Sequence, residues 1–410
     1  MSSTALQGFK GTFRSLANPN YRLWAAGALV SNVGTWMQRI AQDWLVLTEL
    51  THNNASAVGI LMSLQFAPQL LLLPWSGWAA DRFDRRKFLL ATQGILAFLT
   101  LLQGLLVVTG VVQLWHVYVL GFLFGCAAAL DLPARTAFVS DLVGEGDLAN
   151  AVGLNSTSFN AARMVGPAVA GGMIAATGTG WVFIINAISF GVVIAVLARL
   201  KTAAIKKPEQ SAASEGGLLE AFRYIGKRLD LMVLLAMSFL ICTFGLNFPI
   251  YISTMSVREF HAGADQYGIS TSIMALGTLA GALMAASRRR PTMRHILIGS
   301  AVFGLGSILA AISPNYAFFA LSLVLIGLAA QTFNTSTNGL IQLTTAPEVR
   351  GRVLAIYLAV ALGSTPLGSP LVGWVADVLG PRWALGVAAA SGIGAAFVAL
   401  FYFAKIRSKN

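Results

Sequence analysis

Ionisable residues are rare in this sequence, and five of them fall inside long apolar stretches. The chain has 410 residues, of which 56% are hydrophobic and 11% are charged. A charged side chain within a hydrocarbon layer is costly, so each such residue is a candidate functional group. The five residues lie in three segments of helical length and are Arg39, Asp43, Asp131, Arg135 and Arg163.

Two of these segments contain an aspartate four residues from an arginine. This spacing places Asp43 one helical turn from Arg39, and Asp131 one turn from Arg135, where each pair can form an ion pair. A carboxylate that pairs in one conformation and separates in another changes its proton affinity. Asp43 and Asp131 are therefore the candidate proton-coupling groups. For the first pair, a role in a substrate cavity and a purely structural role remain open.

The remaining polar groups of these segments are candidates for substrate contact. Asn32, Trp36 and Arg39 follow helical spacing and so share one helix face. Arg163 can hold an anionic group of a substrate, or it can pair with Asp131 on a neighbouring helix. Both alternatives stay open at the level of sequence.

A second polar group forms a stripe along a later apolar stretch. Gln331, Asn334, Thr335, Asn338 and Gln342 recur at helical spacing and lie on one face. Because polar side chains are unfavourable against lipid, this face must contact other helices or water. We interpret it as lining a central cavity, with simple bonding between helices as the alternative.

The elements that must position these residues are membrane-spanning helices. Apolar runs of about 20 residues recur along the chain, and each can cross a hydrocarbon layer as a helix. The pattern predicts an all-α integral membrane protein with twelve transmembrane helices. The predicted spans cover residues 22–47, 55–79, 88–109, 115–137, 150–176, 181–199, 231–253, 266–286, 293–312, 316–343, 353–377 and 382–404.

Positive charge alternates between the loops that join these spans. Of the 28 Lys and Arg residues, 23 lie on one predicted side. Because basic loops stay cytoplasmic, both termini are predicted in the cytoplasm of a multi-pass protein. The net charge of +12 is thus explained by basic residues in the predicted cytoplasmic loops, and it requires no nucleic-acid partner. Cysteine and histidine spacing indicates no disulfide, metal site or other cofactor.

The chain repeats itself about its middle. A shift of 202 positions aligns Gly166 with Gly368 and Trp181 with Trp383. We predict two parallel six-helix repeats, which is a transporter plan with the substrate at the repeat interface. The predicted domains are residues 1–199, a cytoplasmic linker of residues 200–230 and residues 231–410. The linker ends in apolar residues at helical spacing, which predict either an amphipathic helix or an early start of span 7.

The loop after span 2 carries a motif that identifies a family. Residues 77–87 resemble the signature loop of the major facilitator superfamily. This resemblance implies that Asp81 meets Arg135 and the start of span 11, and that Arg85 meets Asp141, in a cytoplasmic gate. The gating residues so implied are Gly77, Asp81, Arg82, Asp84, Arg85, Arg86, Arg135 and Asp141. We expect Gly77, which has no side chain, to let two helices approach closely.

Span 5 carries a second resemblance, to the Gly-Pro motif of antiporters in this superfamily. Its residues are Gly166, Pro167, Gly171 and Gly172, and as a structural alternative they give the helix a close-packing face. The match is imperfect, because Ala162 stands where the pattern has glycine and one extra residue precedes the closing glycines. The N-terminal stretch around residues 18–45 is similar to the bacterial exporter branch that includes the enterobactin exporter.

These observations predict a secondary transporter and no enzyme. The expected function is export of a small apolar or amphiphilic molecule, siderophore-like or drug-like, across the bacterial cytoplasmic membrane, with protons in antiport. The chain has no phosphate-binding Gly-x-x-x-x-Gly-Lys-Ser/Thr loop for ATP. Its expected partners are the substrate, protons and membrane lipids, and a monomer is expected. A lysophospholipid flippase and a non-transporting receptor or scaffold are the alternatives.

Overall fold

All regular secondary structure in the described part of the chain is helical. The computed structural model describes residues 13–200, 218–288 and 290–407. Its α-helices are α1 Pro19–Trp44, α2 Ala55–Leu71, α3 Leu73–Arg82, α4 Arg85–Val108, α5 Leu114–Leu142, α6 Glu145–Thr177, α7 Thr179–Arg199, α8 Leu218–Gly226, α9 Leu229–Leu240, α10 Phe248–Thr254, α11 Ala264–Ala286, α12 Met293–Ala311, α13 Tyr316–Thr344, α14 Pro347–Val378 and α15 Pro381–Arg407. Each of the twelve predicted spans therefore coincides with one helix or with a pair of helices.

Nine helical segments within the described ranges are long and apolar enough to cross a membrane. The helix α2 is apolar but has only 17 residues. The helices α1 and α6 have sufficient length, with 26 and 33 residues. They carry the intramembrane arginines Arg39 and Arg163 among other polar residues, which lowers their mean hydropathy. The prediction of an all-α membrane protein is confirmed, and the count of twelve spans is compatible with these helices.

Two predicted spans are interrupted in the structure. Span 2 consists of α2 and α3, which meet near Pro68 and Pro74. Span 7 consists of α9, a π-helical turn at Ile241–Gly245 and α10, with Pro249 in the first turn of α10. Proline removes a backbone donor and clashes with the preceding turn, so continuous helices are unfavourable at these points.

The ends of spans 1 and 7 repeat each other in detail. Each span closes with a π-helical segment, Leu45–Leu50 in the first and Met255–Glu259 in the second. A histidine with positive φ follows in each case, at 49° for His52 and 51° for His261. The repeat that the sequence revealed in spans 4 to 6 and 10 to 12 thus includes the first span of each half.

The contact pattern divides the chain into two compact units. One comprises Met1–Gln42 and Leu71–Ala212, and the other comprises Asp43–Leu70 and Ala213–Asn410. The first has a buried core around Trp24 and Phe138, and the second has one around Phe333 and Tyr357. The predicted halves remain a prediction, and most of the linker lies outside the described residues. Its end forms the separate helix α8, so an early start of span 7 is not what the structure has.

Candidate functional site

Asp131 lies in a buried polar network of the first unit. Its side chain is 5% exposed. Thr92 Oγ1 and Gln93 Nε2, both on α4, donate to Asp131 Oδ1 at 2.6 and 2.9 Å. These two hydrogen bonds from a neighbouring helix fix α5 against α4. Neither donor was predicted from the sequence, because both are ordinary polar residues in an apolar helix.

Arg135 lies one helical turn after Asp131, and its hydrogen bond to Asn32 is long. Its Nη1 donates to Asn32 Oδ1 at 3.5 Å, and its Cζ lies 5.7 Å from the centre of the Trp24 ring. Its Nη2 atom is buried and has no hydrogen-bond partner among the described residues. The side chain of Asp81, which the resemblance implies as a partner, lies outside what the structure describes.

Two guanidinium groups lie near the ring of Trp36 in the first unit. Arg39 Cζ lies 4.7 Å from the centre of the Trp36 ring and Arg163 Cζ lies 5.5 Å from it. Phe159 packs edge-on against the same ring, with the ring centres 5.8 Å apart. We call Trp36, Arg39, Phe159 and Arg163 the Arg–Trp cluster. The structure therefore brings together three residues that the sequence proposed as cavity candidates.

The Gly-Pro motif of α6 contributes to the position of this cluster. A Cβ atom on Gly166 would lie 2.7 Å from Trp36 Cβ and 3.1 Å from the Val33 carbonyl oxygen. Only glycine permits this close approach of α6 to α1. Gly172 faces open space in the described structure, so the close-packing face is limited to part of the motif. Pro167 and Gly171 are buried within α6.

A further buried network joins α1 to α4 and α7. Thr100 Oγ1 donates to Gln38 Oε1 at 3.1 Å, and Asn186 Nδ2 donates to the same oxygen. Ser189 Oγ donates to Asn186 Oδ1 at 2.8 Å. Side chains on Gly34 would collide with this amide and hydroxyl. These polar residues stabilise helix packing, and their contacts were not predicted from the sequence.

Asp43 belongs by contact to the second unit. Tyr267 of α11 donates its hydroxyl to Asp43 Oδ2 at 3.1 Å, and both side chains are buried. Trp44 stacks on the Tyr267 ring with the centres 6.2 Å apart. The tyrosine was not predicted. The Tyr267 hydroxyl thus gives the Asp43 carboxylate a partner on another helix, and this contact depends on how α11 packs.

The polar stripe of span 10 lies on the open side of α13. Gln331 Nε2 donates to Thr335 Oγ1 at 3.0 Å, and Gln342 Nε2 donates to Asn338 Oδ1 at 2.5 Å. Asn334 is half-buried on the same face. These amide hydrogen bonds stay within one helix. The stripe therefore presents polar groups to open space in the described structure, and its role in a cavity remains a prediction.

We expect the double substitution Asn334→Leu with Asn338→Leu to change substrate affinity or range more than thermal stability. Leucine retains helix propensity, and the two amides stabilise no neighbouring helix in the described structure. The measurement compares the transport KM and the unfolding midpoint of the purified variant with those of the wild type. A collapse of the unfolding midpoint at unchanged KM would instead assign the stripe to helix packing.

The cytoplasmic motif is described in part. Arg85 Nη1 donates to Asp141 Oδ1 at 2.7 Å, which is the contact that the resemblance implies. Asp84 accepts from the Lys87 N–H at 2.9 Å and caps α4. Arg86 donates to the carbonyl oxygens of Leu197 and Ala198 at the end of α7. These contacts lie within the first unit, and gating by them remains a prediction.

Two other motif residues, Arg82 and Gly77, lie in open surroundings in the described structure. Arg82 is exposed, with its Cζ 5.6 Å from the centre of the Trp78 ring. A Cβ atom on Gly77 would meet no atom within 4 Å in the described structure. The close helix approach that we expected at Gly77 is therefore not found among the described residues.

The second unit contains a carboxylate contact that the sequence did not reveal. Asp377, at the end of α14, accepts from the Ala55 N–H and the Ser56 N–H at 2.8 Å each, and from Ser56 Oγ at 2.6 Å. Arg258 Nη1 donates to the same carboxylate at 3.1 Å. We call Asp377, Ala55, Ser56 and Arg258 the Asp377 clamp. It places a negative charge on the positive end of the α2 dipole.

Close packing continues along α2 and α14 below this clamp. Ser63 Oγ donates to the Pro366 carbonyl oxygen at 2.7 Å and lies 3.0 Å from Ser369 Oγ. A Cβ atom on Gly59 would overlap the Ser369 carbonyl oxygen. An open polar depression of about 570 Å³ lies beside the clamp and is lined in part by His52, His261 and Asp377. Within the described ranges, no three His, Cys, Asp or Glu residues come together to hold a metal ion.

Comparison with known proteins gives a match over nearly the whole chain. A family model described as transmembrane secretion effector matches residues 10–410. The Staphyloferrin A transporter of Staphylococcus aureus is 26% identical over 351 residues, covering 85% of this chain and 87% of the relative. The multidrug efflux pump Tap of Mycobacterium tuberculosis is 27% identical over 371 residues, covering 86% of each. The macrolide efflux protein A of Streptococcus pyogenes is 23% identical, covering 88% and 90%.

Solved structures share the fold at lower identity. The nucleoside transporter NupG superposes with a TM-score of 0.72 at 14% identity, covering 94% of this chain and 99% of that one. The D-xylose-proton symporter superposes with a TM-score of 0.70 at 14% identity, covering 94% and 97%. These similarities concern the architecture of the helices.

Proposed function

Because the chain belongs to the transmembrane secretion effector family of the major facilitator superfamily, we propose that it exports a small apolar or amphiphilic molecule across the bacterial cytoplasmic membrane. The family consists of transporters and not of enzymes. The observation that carries the proposal is the similarity along the whole chain to an efflux pump, a macrolide efflux protein and a transporter of staphyloferrin A.

The geometry supports transport through a polar path between apolar helices. The Arg–Trp cluster of α1 and α6 and the stripe of α13 carry half-buried and exposed polar groups within predicted membrane spans. Polar groups at membrane depth are tolerated where they face a water-filled cavity. We assign the cluster and the stripe, each within its own unit, to surfaces that contact the substrate.

Alternating access requires contacts that form in one state and break in the other. The Asp377 clamp has the properties of such a contact, because it joins α2 to α14 through hydrogen bonds and charge. By the predicted topology it lies on the outer side. The motif around Asp81 would supply the reciprocal contact on the cytoplasmic side, where span 2 ends and span 11 begins.

Proton antiport is the proposed driving reaction, with Asp43 as the proton carrier. Asp131 receives two hydrogen bonds from α4, which lies in the same unit, so its contacts do not depend on movement of α11. Asp43 receives a hydrogen bond from Tyr267 of α11. If α11 moves relative to α1 during transport, this donor is lost and the proton affinity of the carboxylate rises.

The test starts from a comparison of culture medium from cells with and without the protein. A compound found only with the protein is then offered to everted membrane vesicles that carry a proton gradient. We expect uptake of this compound to dissipate part of the proton gradient. Uptake that is insensitive to collapse of the gradient, and restricted to lysophospholipid, would support a flippase, and absence of any uptake would support a receptor or scaffold.

In the same vesicles, we expect Asp43→Asn to abolish gradient-driven accumulation and to preserve exchange of the compound down its own gradient. The amide cannot carry a proton but retains an acceptor for Tyr267. Asp131→Asn is the matched comparison, and accumulation should survive in it to the extent that the protein remains folded. Accumulation at the wild-type level in Asp43→Asn would contradict this assignment.

A further inference from the structure

Helix α8 packs one face against the second unit and leaves the opposite face exposed. Ala221 and Ile225 are buried in the hydrophobic core of that unit. Leu219 and Phe222, by contrast, are 70% and 57% exposed. Because these two residues are three positions apart, they lie on the same side of the helix. The helix therefore presents large apolar side chains outward from the described part of its unit.

Polar contacts fix α8 at the start of α14. Glu220 forms an ion pair with Arg352, which lies near the beginning of α14. The Tyr224 hydroxyl accepts from the Ala346 N–H at 3.3 Å and from Arg228 Nη1 at 3.0 Å. Ala346 directly precedes α14, in a loop that is predicted to be cytoplasmic. These contacts place α8 at the predicted cytoplasmic end of the second unit.

The outer face of α8 also carries positive charge. Arg223 and Lys227 are both exposed, and they are four residues apart. The acidic residue of α8, Glu220, is bound by Arg352. Apolar side chains next to basic ones are typical of helices that lie in the membrane interface. Basic residues at that depth attract the headgroups of anionic lipids.

We propose that the outer face of α8 binds anionic phospholipid of the cytoplasmic leaflet, with Arg223 and Lys227 at the headgroup phosphates and with Leu219 and Phe222 among the upper parts of the acyl chains. Opposite charge selects this occupant. A second copy of the chain, docked symmetrically through the same face, would bring the basic residues against each other. The inference concerns the membrane surface and does not depend on the export function proposed above.

The size of the lipid preference follows from the number of charges. Each basic residue near an anionic membrane surface contributes about fivefold to binding, so two such residues give roughly 25-fold. A zwitterionic headgroup carries no net charge and gains less from the same two cations. Since both side chains are exposed, salt should screen the attraction and reduce the preference.

A fluorophore on α8 can measure which lipids lie against this helix. A Cβ atom on Gly226 would meet no atom within 4 Å, so this position can accept a label. After replacement of Cys126 and Cys242 with alanine, Gly226→Cys is labelled with bimane in the full-length protein, in phosphatidylcholine bilayers. A small fraction of the lipid carries a nitroxide quencher, on phosphatidylglycerol or on phosphatidylcholine. We expect quenching at a roughly 25-fold lower mole fraction of the labelled phosphatidylglycerol, and a smaller difference at high salt.

Substitutions of charged residues test the origin of this preference. Arg223→Gln combined with Lys227→Gln should abolish the preference and leave quenching by labelled phosphatidylcholine unchanged. Arg290→Gln combined with Arg294→Gln is the matched control, because it removes two exposed arginines from the same predicted side of the same unit. This control should behave as the labelled parent. If the double variant of α8 fails to fold, its two single substitutions and the salt dependence of the parent still decide the outcome.

The apolar residues have a separate effect. Leu219→Gln combined with Phe222→Gln should weaken quenching by both lipids, because the helix loses its contact with the acyl chains. Equal quenching by the two labelled lipids at low salt would overturn the proposal, and so would a preference that survives the loss of both basic residues. Absence of quenching by either lipid would also overturn it, since protein and not lipid would then cover this face.

Discussion

Replacing Asp131 with alanine should lower the stability of the protein by about 3 kcal/mol. The substitution removes the acceptor for Thr92 and Gln93 and the carboxylate one turn from Arg135. The carboxylate also offsets part of the Arg135 charge electrostatically, so its removal leaves that guanidinium with less compensation. Because Arg135 is only half-buried, we expect an effect at the lower end of such losses.

The measurement is the unfolding midpoint of purified protein in detergent, for Asp131→Ala, Asp131→Asn and a control. Asparagine keeps an acceptor for the two α4 donors, so Asp131→Asn should lose less stability than Asp131→Ala. Asp147→Ala is the control, because Asp147 pairs with Arg14 at the surface with its side chain 46% exposed. A wild-type midpoint in Asp131→Ala, together with lost proton coupling, would return Asp131 to the role of proton carrier.

Contacts within one helix turn or between a short motif and a neighbouring helix were accessible from the sequence. The Arg85 contact with Asp141 was anticipated because it belongs to a motif whose spacing is specific. The apolar runs predicted the helices because hydrocarbon thickness fixes their length. The positions of Trp36 and Arg39 on one face followed from helical periodicity.

Contacts that depend on which helices pack together were not accessible in this way. Thr92 and Gln93 look like any polar residue in a span, and their role appears only when α4 meets α5. Tyr267 lies far from Asp43 in the sequence. The single sequence contains no signal for such pairings, since hydropathy describes the contact of a helix with lipid and not its choice of neighbour.

Close packing at glycine residues also depends on which helices meet, and it could not be predicted from the sequence. The motif led us to expect close packing at Gly77, where the described structure has open space. Close approach occurs instead at Gly59, against α14, and at Gly368, against the Thr243 carbonyl oxygen in the π-helical turn of span 7. Glycine in a membrane helix is compatible with packing, a bend or exposure to lipid, and the neighbouring backbone decides among them.

Replacing Asp377 with alanine should favour the state in which α2 and α14 are apart. The Asp377 clamp supplies three acceptor contacts to the first turn of α2 and one ion pair to Arg258. A carboxylate at a helix N-terminus in a partly buried position contributes about 2 kcal/mol. Loss of that contribution changes a two-state equilibrium roughly 30-fold.

The separation of α2 from α14 can be measured at a buried serine. Ser369 is fully buried where α14 meets α2, and Ser63 Oγ lies 3.0 Å from its hydroxyl. After replacement of Cys126 and Cys242 with alanine, the thiol introduced by Ser369→Cys should react slowly with a water-soluble maleimide. In combination with Asp377→Ala the reaction should become faster, and transport should slow because one state is favoured too strongly.

Glu259→Gln is the matched control for this experiment. Glu259 accepts from Arg382 at 2.7 Å, so its loss removes an ion pair of the same unit without touching α2. Asp377→Asn should give an intermediate rate, because the amide keeps an acceptor for the α2 backbone but loses the charge. Equal maleimide reaction rates in Asp377→Ala, Glu259→Gln and the parent would mean that the clamp does not control separation of α2 from α14. A faster reaction in Asp377→Ala alone would show that the carboxylate charge at the N-terminus of α2 controls the separation of α2 from α14.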